Sequence, residues 1–218
     1  MSEEPAEIRR DRGRPVSVDE IATSALAMID EVGLEGLTMR ALADSIGVKP
    51  MTIYRYLANK EAILAVVADR LWQQLPEPDP SIQGWQNQLR AMWGLLFELM
   101  LDHPQAIPLI ARGAAYSNTA AGSTAGMVAV LKRAGFSPQH ASEFVHAAGS
   151  LVVGFAFGHL WQAQARRGEG PSEPAGTLGL IEPELIGYVA QLGPFVPAEF
   201  AAALDVLIAA FEAKLEAD

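Results

Sequence analysis

The sequence predicts an all-α protein in which a small N-terminal three-helix module precedes a larger helical domain. Apolar residues recur at helical spacing in segment after segment, and no segment alternates strictly between apolar and polar residues as a half-buried strand does. Glycine or proline marks the ends of most of these segments. The chain has 218 residues, half of them hydrophobic, which is enough to bury a sizeable core.

The first helix is predicted over residues 18–32. Ser17 and Glu20 stand three positions apart, which is the spacing of a capping box at a helix N-terminus. Apolar residues then recur every three or four positions up to Gly33, which we expect to end the helix.

Two short helices follow, and only Gly47 and Val48 separate them. Thr38 is expected to cap the first, and Gly47 to end it in the left-handed conformation that glycine adopts readily. The second is predicted from Lys49 to Leu57, with Pro50 in its first turn, where a missing amide hydrogen costs least.

A fourth, longer helix is predicted over 60–75, capped by Asn59, before a proline-rich linker at 76–80. The next helix, over 82–101, has apolar residues around most of its circumference, so we expect it to be central. Beyond it we expect a short helix to Ala111, a Gly- and Ser-rich loop over 113–124 and a helix to Arg133. A long helix over 138–167 is expected next. A Gly- and Pro-rich loop, a helix opened by Pro183 and a last helix over 198–216 complete the predicted order.

The cellular setting is predicted from what the composition lacks. The chain has no cysteine and its first residues are charged, so we expect a protein of the reducing cytoplasm. The longest apolar stretch, residues 145–160, is shorter than the roughly 20 residues of a membrane span and is interpreted as a buried helix.

Charge is distributed unevenly along the chain. The net charge of −10 argues against nucleic-acid binding, which needs local positive potential. However, residues 8–14 carry four arginines against one aspartate, and residues 36–60 carry four basic residues against one acidic residue. From Glu61 onward there are eight basic and sixteen acidic residues. This asymmetry suits a DNA-binding module joined to a domain that does not touch DNA.

The two short helices around Gly47 have the form of a helix-turn-helix, the unit that fits a DNA major groove. On the second of them, Thr52, Arg55 and Tyr56 share one face because they stand at positions i, i+3 and i+4. The sequence therefore predicts a recognition helix over 48–56.

The string GLTMRALADSIGVKPMTIYRYLANKEAIL resembles the signature of the TetR family, the tetracycline-repressor-like regulators. The resemblance covers residues 17–75 closely and extends more weakly through GWQNQLR and LKRAGFSP to the glycine-rich long helix. It implies a DNA-binding domain over 17–62, after a basic arm over 1–16, and a ligand-binding and dimerisation domain over 63–218.

The resemblance also implies which residues contact DNA. Tyr54 and Lys60 are expected to bind the sugar-phosphate backbone of the DNA. Alternatively, the tyrosines at 54 and 56 could pack inside the three-helix module, and Lys60 could simply be a solvent-exposed residue at the start of a helix. The full predicted set is Thr38, Arg40, Lys49, Pro50, Met51, Thr52, Tyr54, Arg55, Tyr56 and Lys60.

The basic arm adds two candidate contacts, Arg12 and Arg14. Arginines on a flexible arm can enter a narrow A·T-rich minor groove. A disordered solubilising tail that touches phosphates nonspecifically explains the same residues, and both interpretations stay open.

A ligand pocket in the C-terminal domain is implied by the resemblance and agrees with an apolar stripe on the central helix. Such a stripe is also what an ordinary core requires. The candidate ligand-binding residues are Met92, Trp93, Leu96, Phe97, Met100, Ile110, Gly113, Tyr116, Met127, Leu131, Val145 and Gly149.

The sequence disfavours a metal-bound effector. The positions that align with the polar and metal-binding residues of the tetracycline site are Met92, Leu96, Ile110 and Gly158. The four histidines show no ligand spacing, so we expect no metal and no cofactor. A small, hydrophobic or aromatic effector fits these positions better than magnesium-tetracycline.

The resemblance implies a homodimer that pairs the helices over 138–167 and 198–216, and a two-fold dimer predicts a palindromic operator. The sequence therefore predicts a repressor released from DNA by its effector. No nucleophile elbow, phosphate loop, dinucleotide or metal motif is present, so an enzyme is not expected. A helical protein-interaction module without DNA binding remains the main alternative.

Overall fold

The computed structural model of the chain describes residues 15–113, 117–166 and 197–217. Every regular element in these ranges is a helix, which confirms the all-α fold. The predicted features that lie outside the described residues are Arg12, Arg14, Tyr116, the Gly- and Pro-rich loop and the helix opened by Pro183.

The N-terminal module begins with α1 (Val18–Gly36). The predicted cap is confirmed, because the Ser17 hydroxyl accepts a hydrogen bond from the amide of Glu20 at 3.0 Å. The helix breaks at Gly33, as predicted, because the φ of 75° and ψ of 174° at this residue are not helical; a further helical turn then follows up to Gly36. Glycine adopts this conformation without the steric cost that a Cβ atom would add.

Helix α2 (Met39–Ile46) and helix α3 (Pro50–Tyr54) form the predicted helix-turn-helix. Thr38 caps α2, and Gly47 ends it in the left-handed region with a φ of 80°. Helix α3 is shorter than predicted at its C-terminal end. The amides of residues 56 and 57 both bond to the carbonyl of Ile53, at 2.9 and 3.0 Å, which tightens the last turn.

Helix α4 (Lys60–Trp72) starts at the predicted cap, where Asn59 Oδ1 accepts from the amide of Ala62 at 2.8 Å. It ends three residues earlier than predicted and gives way to a turn. Helix α5 (Trp85–Asp102) is central, as predicted, and begins after Gly84. The buried residues of α5 are Leu89, Trp93, Leu96, Phe97, Leu99 and Met100.

The remaining described elements differ from prediction mainly in the Gly- and Ser-rich stretch. The predicted loop over 113–124 is wrong from residue 118 onward, because Ser117 caps a helix there by accepting a hydrogen bond from the amide of Ala120 at 2.9 Å. The elements are a 3₁₀ turn (Pro104–Ala106), α6 (Ile107–Ile110), α7 (Asn118–Arg133), α8 (Pro138–Arg166) and α9 (Pro197–Ala217).

One apolar core runs through both parts of the chain. In the C-terminal part α5 packs against α7, α8 and α9. Aromatic pairs fasten α9, since the rings of Phe97 and Phe200 stack at 4.6 Å and those of Phe144 and Phe211 meet edge to face at 5.2 Å. The Arg90 guanidinium adds an ion pair with Asp205 at 2.6 Å.

Helix α8 is buried on one face only, which corrects the prediction of a buried helix. Its segment Pro138–Leu160 has 23 residues and contains an 18-residue window with a mean hydropathy of 1.2, so length and composition alone would let it cross a membrane. Only 28% of its most apolar window is buried in the structure. The buried face consists of Ala141, Phe144, Ala148, Val152 and Ala156.

Two glycines allow a test of how backbone conformation limits stability. Gly47→Ala forces a side chain into the left-handed region and is expected to lower the free energy of unfolding by about 1 kcal/mol. Gly94 lies inside α5 with open space where a Cβ atom would point, so Gly94→Ala should raise the free energy of unfolding by about 0.5–1 kcal/mol. Urea denaturation measures both, and equal shifts in the same direction would contradict this account.

Candidate nucleic-acid interface and effector cavity

The helix-turn-helix presents an exposed face built on α3. Ile53 is fully buried against the module and fixes the orientation of α3. We call the set Lys49, Thr52, Arg55 and Tyr56 the recognition face. Three of its members are exposed and Thr52 is half-buried.

The other predicted residues of α3 surround this face. Met51 is 70% exposed and Tyr54 is 44% exposed, while Tyr56 in the recognition face is 42% exposed, so neither tyrosine is buried in the module. Pro50 is half-buried at the first position of the helix. Within the described part of the chain, no hydrogen bond or ion pair engages the side chains of Lys49 or Arg55.

The predicted contacts outside α3 have internal partners. Thr38 is exposed, but its hydroxyl caps α2 by accepting from the amide of Ala41 at 3.1 Å. Arg40 is exposed and lies 4.0 Å from Asp44, one turn along α2. Lys60 is half-buried.

The ammonium group of Lys60 donates to the carbonyl of Leu34 at 2.6 Å. This bond joins the first turn of α4 to the kinked end of α1. It corrects the alternative of a merely solvated helix start. An ammonium group has three N–H bonds, so the contact leaves two for a phosphate oxygen.

A narrow cavity lies between α4, α5 and α7, and its accessible volume of about 10 Å³ is room for about one water molecule. That is far below the roughly 300–1,000 Å³ of typical ligand sites, so a ligand has to widen the cavity in order to enter it. Its walls are mainly apolar. The lining residues are Trp72, Leu75, Pro76, Met92, Leu95, Leu96, Ser123 and Met127.

Three of the predicted ligand-binding residues, Met92, Leu96 and Met127, meet in this cavity. Trp93 and Phe97 lie on the neighbouring face of α5 and are packed elsewhere. A Cβ atom at Gly149 would lie 3.7 Å from the ring of Trp93, and Phe97 stacks on the ring of Phe200. The difference follows from helix geometry, because consecutive residues point about 100° apart around the axis.

The remaining candidates lie outside the cavity lining. Met100, Ile110 and Leu131 are buried in the core. Val145 and Gly149 are half-buried on α8. Gly113 is half-buried next to Trp72, since a Cβ atom there would lie 3.9 Å from Cζ2 of that ring.

Sequence reasoning missed Trp72, Leu75, Pro76, Leu95 and Ser123 as lining residues. Trp72 lay within the predicted fourth helix, and Pro76 belonged to the proline-rich linker. Their place beside α5 and α7 depends on how the helices cross, which no local pattern in the sequence specifies.

A polar contact joins α4 to the start of α7. The Ser117 hydroxyl donates to Asp69 Oδ1 at 2.6 Å, and the amide of Thr119 donates to the same oxygen at 3.3 Å. Burial alone would raise the pKa of the Asp69 carboxyl, but the hydrogen bonds from Ser117, Thr119 and Asn118 outweigh burial and hold this pKa below its ordinary value.

Two polar contacts between side chains connect α1 to the rest of the chain. Asp19 pairs with Arg70 of α4. Asp30 Oδ2 lies 2.9 Å from Nδ1 of His103, which follows α5. The described residues contain no group of three acidic, histidine or cysteine side chains that could hold a metal ion.

Comparison with known proteins identifies both parts of the chain. The family model of bacterial regulatory proteins of the tetR family matches residues 21–67, and the model of the tetracyclin repressor-like C-terminal domain matches residues 77–215. The HTH-type transcriptional repressor DrrR1 of Streptomyces coeruleorubidus is 26% identical over 71% of this chain and 58% of that repressor. The chain thus spans less than two thirds of the length of this relative.

Solved structures agree on the fold. A possible TetR family transcriptional regulator from Streptomyces coelicolor superposes with a TM-score of 0.76 and 24% identity, over 90% of this chain and 99% of that one. The Streptomyces coelicolor TetR family protein ActR, in complex with (S)-DNPA, gives a TM-score of 0.72 and 21% identity, over 93% and 100% of the two chains. With a helix-turn-helix at its N-terminus and a tetracyclin repressor-like domain after it, the chain belongs to the TetR family of bacterial regulatory proteins.

Proposed function

We propose that the protein is a homodimeric transcriptional repressor of the cytoplasm that binds a palindromic operator and is released from it by a small, largely apolar effector. The recognition face carries this proposal. Its two cations are exposed without internal partners, on a helix whose opposite side is buried, in a chain whose body is acidic.

The contact that each side chain is proposed to make with DNA follows from its hydrogen-bonding chemistry. Arg55 and Lys49 can donate to guanine edges or phosphates, and Thr52 and Tyr56 can bond either groove edges or backbone oxygens. Tyr54, Met51, Pro50, Thr38 and Arg40 border the same surface and would add phosphate or methyl contacts. The arm with Arg12 and Arg14 is proposed to reach the adjacent minor groove.

The proposed dimer uses the faces of α8 and α9 that the monomer leaves uncovered. Most of the apolar part of α8 is unburied, and Val206 of α9 is 72% exposed. Exposed alanines on α9 would allow the helices of two copies to approach closely. A two-fold axis through this contact would present two recognition helices to half-sites about one DNA turn, roughly 34 Å, apart.

The proposed effector site is the cavity beside α4. Trp72 and Leu75 at the end of α4 contribute to its wall, and Asp69 holds the start of α7. A ligand that widens the cavity would therefore shift α4 relative to α7 and change the distance between the two recognition helices of the dimer. A coupling free energy of about 1–3 kcal/mol between effector binding and DNA binding suffices for a 5- to 150-fold loss of DNA affinity. The likeness to ActR, which was crystallised with (S)-DNPA, is compatible with an organic effector.

Removing a side chain from the recognition face should weaken operator binding without unfolding the protein. We expect Arg55→Ala and Tyr56→Ala each to lower the affinity for DNA upstream of the protein's own gene by about 1–3 kcal/mol, measured by gel shift. Arg133→Ala on α7 is the matched control and should change nothing. Wild-type protein that shifts no upstream fragment would favour a protein-interaction module instead.

A charge placed on the uncovered face of α9 should disrupt the dimer. Val206→Glu buries an unpaired carboxylate in the proposed interface, so sedimentation should show a monomer where the wild type sediments as a dimer. Val32→Glu, on an exposed valine of α1, is the control that should keep the wild-type mass. A dimeric Val206→Glu variant would refute this interface.

The contact of Asp69 with α7 should give stability a defined pH dependence. Because folding lowers the pKa of Asp69 below 3.8, the ionised group stabilises the fold fully above that pH and loses its contribution as the pH falls through the folded value. We expect Asp69→Asn to cost about 1 kcal/mol near neutral pH, with the gap to wild type closing below pH 3.8. Urea denaturation across this range measures the gap, and Asp102→Asn on the exposed end of α5 serves as control. A gap that widens in acid would contradict the assignment.

A further inference from the structure

We propose that the effector is a neutral ring compound that carries a carbonyl-type oxygen, and that the indole N–H of Trp72 recognises this oxygen. The inference rests on the proposed role of the cavity as the effector site. It adds the residue that selects the ligand and the chemical group that is selected.

The first observation is an unmatched donor on a residue that lines the cavity. Trp72 is only 5% exposed, and its Nε1 atom is buried without a hydrogen-bond partner among the described residues. An indole nitrogen can only donate, and buried side-chain donors nearly always have an acceptor. A ligand with an acceptor oxygen would supply one, whereas a hydrocarbon of the same shape would not.

The second observation concerns the rest of the wall. None of the eight lining residues carries an ionisable side chain. The thioethers of Met92 and Met127 and the aliphatic groups of Leu75, Leu95 and Leu96 present apolar, deformable surface. A charged ligand would lose its hydration there without a counter-charge, so the site favours a neutral molecule.

The place of Trp72 in the chain connects recognition to response. Trp72 is the last residue of α4, three positions after Asp69, which binds the first turn of α7. A bond between the ligand and this indole therefore acts on the end of α4 directly. Ser123 on the facing helix α7 is the other polar residue of the lining.

Trp93 supplies a matched control within the same protein. Its Nε1 atom is also buried without a partner among the described residues, yet Trp93 does not line the cavity. Replacing either tryptophan with phenylalanine removes an unmatched indole N–H and keeps an aromatic ring. Only the change at position 72 should alter ligand selection.

The test uses the full-length protein with 1-tetralone, which has one carbonyl oxygen, and tetralin, which has the same ring skeleton without it. Isothermal titration should give a wild-type affinity about tenfold higher for 1-tetralone than for tetralin, equivalent to about 1.4 kcal/mol. Trp72→Phe should bring the two affinities together by weakening 1-tetralone binding alone. Trp93→Phe should keep the tenfold preference. Circular dichroism and thermal melting verify that both variants are folded.

Three results would overturn the inference: equal wild-type affinities, no binding of either compound up to its solubility limit, or a preference that survives in Trp72→Phe. A readout on the unmodified protein removes any dependence on the variant. The indole ¹H–¹⁵N signal of Trp72, assigned by elimination with single Trp→Phe changes at the other three tryptophans, should move downfield with 1-tetralone and not with tetralin. An unmoved signal also overturns the inference.

A gel-shift arm separates this inference from the proposed function. Operator release by a compound that binds equally well to wild type and Trp72→Phe would support the proposed function and overturn the role of Trp72. Carbonyl-selective binding that depends on Trp72 but leaves the operator complex intact would support the recognition and refute the release mechanism.

Discussion

The packing of α4 is the constraint on which the rest of the structure depends. This helix of 13 residues contacts α1 on one side and α6 and α7 on the other. Its length of roughly 20 Å carries it from the end of the recognition helix to the wall of the cavity. Close-packed interiors transmit a displacement instead of absorbing it, so neither end of α4 can move alone. The buried residues that enforce this are Ile63, Leu64, Val67, Ala68, Leu71 and Trp72.

Polar contacts decide which neighbours α4 would carry with it. Lys60 binds the carbonyl of Leu34, and Arg70 pairs with Asp19, so both ends of α4 are tied to α1. Only Asp69 makes a polar contact with α7 among the bonds described. In the proposed mechanism, α1 and α4 therefore move together as one body relative to α7, and α3 follows because Ile53 is buried in the same module. Besides the bond from Asp69 to α7, the contact between His103 and Asp30 is the second polar contact described between this body and the C-terminal part of the chain.

Local signals predicted the parts of this structure that local forces determine. The caps at Ser17, Thr38 and Asn59 and the left-handed Gly47 were all readable, because each depends on residues within three or four positions. The predictions failed where distant contacts matter. Residues 118–124 look like a loop by composition, but Ser117 caps them while bonding to Asp69, 48 positions away.

The residues of the candidate effector site were likewise predicted only in part. The sequence indicated Met92, Leu96 and Met127, which meet in the cavity, whereas Trp72 became visible only once α4, α5 and α7 were placed together. This matters for selectivity, because an apolar wall distinguishes ligands weakly, while a buried polar group left unpaired rejects an analogue strongly. A ligand can also shift a conformational equilibrium only by its difference in affinity for the two states. A donor fixed at the end of the moving helix meets both requirements at once: it identifies the ligand and makes that binding depend on where α4 lies.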